Sequence, residues 1–243
     1  MADVFLSQAC LHYRNKAVFT DLALTFPAGR WTCILGSSGV GKSSLLRLIA
    51  GLPAEDSTAY NAVLAASDSK PLTNRIAYMA QKDLLMPWLN ILENVLLGYT
   101  LRAERSAVQR ERATQLLAAV GLAEHIKSRP MQLSGGQRQR AALVRTLLED
   151  KPIVLMDEPF SALDAVTRYR LQALAAELLK DRTVVLVTHD PLEALRLGHQ
   201  IHILAGCPAQ VVKTIEPKSK PLREINAPEM IPLQDQIWQA LLN

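Results

Sequence analysis

Hydrophobic and polar positions along the chain fall into two rhythms. Short unbroken apolar runs occur at Trp31–Leu35, Ile153–Met156, Thr183–Thr188 and Ile201–Leu204. They are too brief for free-standing helices and suit strands buried on both faces. Between them the apolar residues recur at helical spacing. Leu45, Leu46, Leu48 and Ile49 run up to Gly51, and Leu171, Leu174, Leu178 and Leu179 follow Asp164, a residue able to cap a helix. Asp190-Pro191 with Glu193 pairs a capping side chain with proline at the first helical position, and Gly198 closes that segment. Apolar strands alternating with helices predict a mostly parallel sheet covered by helices, with any ligand at the carboxyl ends of the strands.

Three stretches depart from this rhythm. Val4–Phe26 alternates loosely around Asn15-Lys16, which predicts an antiparallel hairpin at the N-terminus. Leu52–Asn74 is polar and turn-rich, reads as irregular, and precedes a strand-like Arg75–Met79 that leads into Gln81. Pro87 then breaks the chain, a helix is expected after Asn90, and another over Ser106–Val120, where Ser106 and Gln109 stand at capping-box spacing and Gly121 follows the last apolar turn. The charges Arg105, Arg110, Glu111 and Arg112 read as the solvated face of that helix. The expectation is an α/β chain of P-loop type over 1–216, with an N-terminal antiparallel β part, an inserted α-helical subdomain at about 84–135, and a proline-rich, loosely packed tail over 217–243.

The P-loop expectation rests on Gly36-Ser-Ser-Gly-Val-Gly-Lys42-Ser43, a full match to G-x-x-x-x-G-K-[ST] between a strand and a helix. Its glycines let successive backbone N–H groups converge on one cluster of anionic oxygens, Lys42 adds a point charge for β and γ phosphates, and Ser43 offers a hydroxyl to Mg²⁺. Composition narrows the partners. With 27 basic and 23 acidic residues among 243, and no basic block interleaved with aromatics, nucleic acid is not indicated. Three cysteines, Cys10, Cys33 and Cys207, share no metal-like spacing, and their odd number argues against a disulfide framework and for a reducing compartment. No apolar run reaches spanning length, so work at a membrane would use the spans of another subunit.

Leu133-Ser-Gly-Gly-Gln137 adds a second anion site, because Ser134 and Gln137 stand at capping-box spacing and two glycines leave the first N–H groups of a helix open. With Gln81, Asp157-Glu158 and Thr188-His189 it makes the chain resemble the nucleotide-binding subunits of ATP-binding cassette (ABC) transporters, from Tyr13 to about Gly206. The resemblance implies ATP with Mg²⁺, held by Gly36, Ser37, Ser38, Gly39, Val40, Gly41, Lys42, Ser43 and Ser44, with Tyr13 stacked on adenine. It implies Mg²⁺ contacts from Ser43, Gln81 and Asp157, Glu158 as general base, His189 bridging the γ-phosphate and the opposite subunit, and Gln81 sensing the metal and the attacking water. It further implies a head-to-tail homodimer in which Ser134, Gly135, Gly136, Gln137 and Asp164 meet the ATP of the partner copy. The loop Ser161–Asp164 would communicate between the two sites. His12, His125, His199 and His202 match no motif and are expected in solvent or core.

Leu84-Leu-Met-Pro-Trp-Leu-Asn-Ile-Leu-Glu-Asn-Val95 is similar to text of the nitrate, sulfonate and taurine branch of importers, which includes carriers of thiamine-precursor pyrimidines. That resemblance implies a peripheral subunit on the cytoplasmic face of the membrane, bound to permease subunits and served indirectly by a solute-binding protein. An exporter subunit is the alternative, followed by a non-transport ABC ATPase. Asn61 stands where the family more often has glycine in a strand-turn.

Overall fold

The computed structural model describes residues 2–13, 16–52 and 57–242. The chain divides into two compact units, one made of Met1–Ile76, Pro152–Glu158 and Lys180–Asn243, the other of Ala77–Lys151 and Pro159–Leu179.

In the first unit, β1 (Val4–Tyr13), β2 (Lys16–Phe26) and β4 (Ser57–Ala66) form an antiparallel sheet in the order β2-β1-β4. The expected hairpin is β1–β2, with Val4 opposite Phe26 and Tyr13 opposite Lys16, although Asn15 lies outside the described residues. The stretch read as irregular contains β4, which pairs Leu64 with Leu6 and Asn61 with Cys10. Its alternation was masked because β4 lies at an edge of this sheet. Over 61–66, Asn61, Val63 and Ala65 point to solvent and Ala66 is buried, so small and polar residues suffice there. Asn61 is thus a strand residue, and Asp56 lies outside the described residues.

The main sheet of this unit runs β6 (Ile153–Asp157), β7 (Thr183–Val187), β3 (Trp31–Gly36), β8 (Gln200–Gly206), β9 (Ala209–Ile215). β6, β7, β3 and β8 are parallel, and β9 returns antiparallel along β8. Every residue of β3, β6 and β7 is buried, which is why the sequence shows these strands as continuous apolar runs. A fully buried Ile34 or Leu155 stabilises the fold by about 1.5–3 kcal/mol. Helix α1 (Lys42–Ile49) packs on β3, β6 and β7, and α7 (Pro191–Leu197) on β3. The tail carries a helix, α8 (Met230–Leu242), with Met230 and Ile237 buried and contacts to α7 and β8. Pro232 falls in its first turn, where a missing N–H costs nothing, so the proline that suggested looseness belongs to a helix start. Arg223 ties the segment before α8 to α7 by donating to Leu195 O and Gly198 O.

The second unit is helical: α2 (Ile91–Val95), α3 (Leu97–Leu101), α4 (Ala107–Ala119), α5 (Gly135–Leu148) and α6 (Ala165–Leu178). Strand β5 (Ile76–Met79) crosses from the first unit into it. Helix α2 starts where expected, with Asn90 and Glu93 exchanging both bonds of a capping box. Ser106 caps α4, and Gly121 follows its end in a left-handed conformation. Of the predicted apolar face of α6, Leu171 is buried but Leu178 is exposed. Among the described residues no helix is long and apolar enough to cross a membrane.

Candidate functional site

Register in the parallel sheet assembles the first half of the site. Val187 faces Ile34 on one side and Asp157 on the other, so the ends of β3, β7 and β6 lie in a row at the spacing of neighbouring strands, about 4.8 Å. Chain segments leaving those ends carry Gly36–Lys42, Asp157-Glu158 and Thr188-His189. Proximity here is a consequence of the sheet order.

Between β3 and α1 the backbone turns through Gly39 (φ 81°) and Gly41 (φ 107°). Gly41 is required twice over, since a Cβ there would stand 2.5 Å from Val18 Cγ1 and 2.8 Å from Phe19 Cζ. At Gly36 a Cβ would meet Leu204 O at 2.6 Å. Lys42 is buried, 6% exposed, and its ammonium donates to Gly36 O at 2.8 Å and Ser37 O at 2.9 Å. Burial pushes its pKa down, while the Glu158 and Asp157 carboxylates oppose the shift. Tyr13 ends β1 with its hydroxyl 3.5 Å from Ser44 Oγ in the first turn of α1.

Asp157 is buried at the end of β6, and desolvation raises its pKa against the opposing Ser43 hydroxyl bond and the Lys42 charge. Its Oδ1 is buried with no hydrogen-bond partner. Glu158 follows in the left-handed region at φ 48°, with its N–H donating to Val187 O at 2.9 Å. That twist turns the Glu158 carboxylate to His189, whose Nδ1 lies 3.0 Å from Oε1. Glu158 is the more enclosed of the pair, at 15% side-chain exposure against 58% for His189. His189 precedes α7, where Asp190 accepts from Leu192 N and Glu193 N as the cap.

The remaining expected residues belong to the second unit. Ser134 caps α5, accepting from Gln137 N at 3.2 Å, while Gln137 Oε1 accepts from Ser134 N at 2.7 Å. An added Cβ at Gly135 would find open space up to Arg138 Nη2 at 3.9 Å, whereas at Gly136 it would stand 3.0 Å from Ala162 O, so the second glycine lets the loop before Asp164 approach this helix start. Asp164 is exposed, caps α6 by accepting from Thr167 N at 2.9 Å, and that bond holds its carboxyl below the usual range. Gln81 lies exposed between β5 and α2.

The structure adds residues that sequence motifs did not mark. Gln139, 6% exposed, accepts from Ala162 N at 2.8 Å and donates to Ser161 Oγ at 3.2 Å, tying α5 to the loop that ends in Asp164. Arg138 pairs with Asp83 at 3.0 Å, and Arg145 donates to Asp83 O at 2.6 Å and Leu84 O at 2.9 Å. Arg138 and Arg145 stand seven residues apart on one face of α5, the only trace of this in the text. Fully buried Asn94 accepts from Met86 N at 2.6 Å and donates to Met86 O, Leu89 O and Asn90 O. It holds a loop on which Leu84 and Trp88 are 55% and 67% exposed. Of the unassigned histidines, His202 is buried as expected, whereas His125 is half-buried against Gln137.

Residues 19–161 match the family model described as ABC transporter. The chain belongs to the ABC transporter family. An ABC transporter ATP-binding protein of Haemophilus influenzae is 42% identical over 241 residues, covering 98% of each chain. An aliphatic sulfonates import ATP-binding protein of Rhodococcus jostii is 46% identical over 79% of this chain and 75% of its own length. A taurine import ATP-binding protein of Pseudomonas aeruginosa is 39% identical over 83% of this chain and 77% of its own. Among solved structures, the ATP-binding cassette MJ0796, dimeric in a post-hydrolysis state bound to ADP and Pi, aligns with a TM-score of 0.76 at 30% identity, covering 91% of this chain and 99% of that one. As an ABC cassette the chain is an ATPase of P-loop type, and its parallel sheet, antiparallel β part and helical segments are those of that fold.

Proposed function

We propose that this cassette hydrolyses ATP to drive import of a small sulfonate or taurine-like solute through a separate membrane permease, from the cytoplasmic face of the membrane. The observation that carries the proposal is the row of strand ends in the first unit, which sets the glycine loop, Asp157-Glu158 and His189 side by side. The text Leu84–Val95 and the named sulfonate and taurine relatives support the solute class and the importer role.

In this reading Gly36–Ser44 cradle the phosphates, Lys42 leaves the carbonyls of Gly36 and Ser37 for β and γ oxygens, and Tyr13 stacks on adenine. Mg²⁺ fits the residues present in the first unit, since the buried unpartnered Oδ1 of Asp157 stands with the Ser43 hydroxyl as a hard-oxygen pair. When bound, the ion neutralises charge on the β and γ phosphates. Glu158 takes a hydrogen bond from the attacking water and polarises it, and His189 holds the Glu158 carboxylate while reaching toward the γ-phosphate. Phosphoryl transfer asks little covalent work of the protein, so positioning and charge neutralisation supply most of the acceleration.

Ser134, Gly135, Gly136, Gln137 and Asp164 close the nucleotide of a second copy, making the enzyme a head-to-tail homodimer. The exposed Leu84 and Trp88 loop receives the permease, and a solute-binding protein delivers to that permease. The test is Glu158→Gln with Mg-ATP. Retained ATP binding, turnover reduced at least a hundredfold and a dimer on size-exclusion chromatography are expected; parent-like turnover refutes the base. Reconstitution with a permease then reads solute uptake directly, and a cassette whose ATPase responds to no permease is not a transport subunit.

A further inference from the structure

Gln137 shares its side-chain amide between two partners. Ser134 N can only donate, so the Gln137 atom 2.7 Å away is Oε1, and the orientation of the amide is fixed. Gln137 Nε2 therefore faces His125 Nε2, at 2.9 Å. An amide NH₂ donates and never accepts, so the imidazole atom it meets must be a lone pair. His125 is neutral in this arrangement, with its proton on Nδ1.

We infer that His125 is a positioning residue for the helix start at Ser134–Gln137, acting as an obligatory hydrogen-bond acceptor that holds the Gln137 side chain in its capping position. It rests on the reading that this helix start meets the ATP of a partner copy. The contact locks the Gln137 side chain into the reciprocal bond with Ser134. The Ser134 hydroxyl, already accepting from Gln137 N at 3.2 Å, is thereby left to donate toward phosphate. The second Nε2 hydrogen of Gln137 is likewise given a fixed direction. Without an acceptor at position 125 the Gln137 side chain regains its rotamers, and the helix start must be reordered in each catalytic cycle.

The contact is separable from folding. The backbone around His125 is held by its own bonds, His125 N to Leu122 O and Ser128 N to His125 O, both 3.0 Å. The end of α4 is fastened to α5 independently by Arg140, which donates to Val120 O at 2.6 Å. Removal of the imidazole leaves both fastenings in place.

Three variants of the full chain decide the matter by steady-state ATPase with Mg-ATP and thermal melting. His125→Leu removes the acceptor, His125→Lys supplies only donors, and His125→Gln restores an acceptor at similar reach. The first two are expected to lower kcat about three- to tenfold, the loss of one neutral hydrogen bond. KM for ATP should stay within about twofold and melting temperatures near the parent, because nucleotide is gripped mainly by the glycine loop. His125→Gln should return kcat to within about twofold. Parent-like kcat in His125→Leu or His125→Lys, a loss in His125→Gln as deep as theirs, or losses that track melting temperature overturns the inference. Ser134→Ala run alongside separates the two levels of argument: if it too hydrolyses like the parent, the reading of the helix start falls with it. If it is impaired while His125→Leu is not, the inference alone fails.

Discussion

Glu158 offers a test of whether the geometry of its backbone exists for chemistry. At φ 48° it occupies the left-handed region, where an L-residue pays about 1–2 kcal/mol and glycine pays none. In an ordinary strand or helix glycine is less stable than alanine by about 0.5–1 kcal/mol, because it loses more backbone entropy. Here the order should invert. Glu158→Ala and Glu158→Gly both delete the carboxylate and its bond to His189, and both keep the Glu158 N–H bond to Val187 O, so those contributions cancel between them. What is left is the left-handed penalty of alanine set against the entropy of glycine, a net advantage to glycine of about 0.5–1 kcal/mol. For a chain of this size that is about 1–4 °C in melting temperature. The assay is thermal unfolding of the nucleotide-free variants by circular dichroism, with turnover measured in parallel. Both variants should lose turnover by about 10²–10⁴. A glycine variant that melts below the alanine variant refutes the strain argument, and with it the idea that the twist at 158 is held by the surrounding sheet in order to aim the carboxylate.

Other substitutions probe the rest of the site. Lys42→Ala should weaken nucleotide binding itself, read as a right-shifted fluorescent-nucleotide titration with little change in melting temperature. Gln139→Leu removes the bonds from Ala162 N and to Ser161 Oγ and should destabilise the chain by about 1–2 kcal/mol by denaturant titration while lowering turnover. Trp88→Ala, at a side chain 67% exposed, should leave stability and basal ATPase unchanged but abolish stimulation by the permease. Burial lowers the pKa of both His199 and His202, so as pH falls below about 6.5 the unfolded chain takes up protons that the folded chain refuses, and stability drops. The fall in melting temperature between pH 7.5 and 5.5 should be smaller in His202→Gln than in the parent; an equal fall removes His202 from the account.

What the sequence disclosed, and what it hid, follows from how each element is held. β3, β6 and β7 were legible because burial on both faces forces an apolar run, and the helix starts at Asn90, Ser106, Ser134, Asp164 and Asp190 were legible because a cap is a local chemical event. β4 was not, because an edge strand with one solvated face imposes little on Asn61, Val63 and Ala65. α8 was not, because its support comes from α7 and β8, far away in the chain, while Pro232 within it and Pro217, Pro221 and Pro228 before it suggest a loop. The glycine loop was legible as chemistry but not as a packing problem: only the structure shows that Val18 and Phe19 of β2 press on Gly41. Arg138, Gln139, Arg145 and His125 carry no motif, since their roles are hydrogen bonds to partners 12 to 62 positions away that no spacing rule anticipates.

Three of them, Arg138, Gln139 and Arg145, give the second unit its mechanical sense. Helix α5 begins at the glycines expected to touch phosphate, and along its length it grips Asp83 and Leu84 through Arg138 and Arg145, and Ser161 and Ala162 through Gln139. The Arg138–Asp83 pair alone is worth little, because both side chains are about one-third exposed, at 35% and 31%. Its two backbone-directed companions from Arg145 are different, because a guanidinium bound to two carbonyls fixes the path of the chain as well as a charge. A push on the Leu84–Trp88 loop, which Asn94 holds to the start of α2, is therefore resisted by α5 and has to be shared with it. Cutting the grip by Arg145→Leu should uncouple the two ends: basal ATPase of the isolated cassette stays within about threefold while stimulation by the permease is lost. If stimulation survives that variant, force does not pass through α5, and its bonds to the loop serve folding alone.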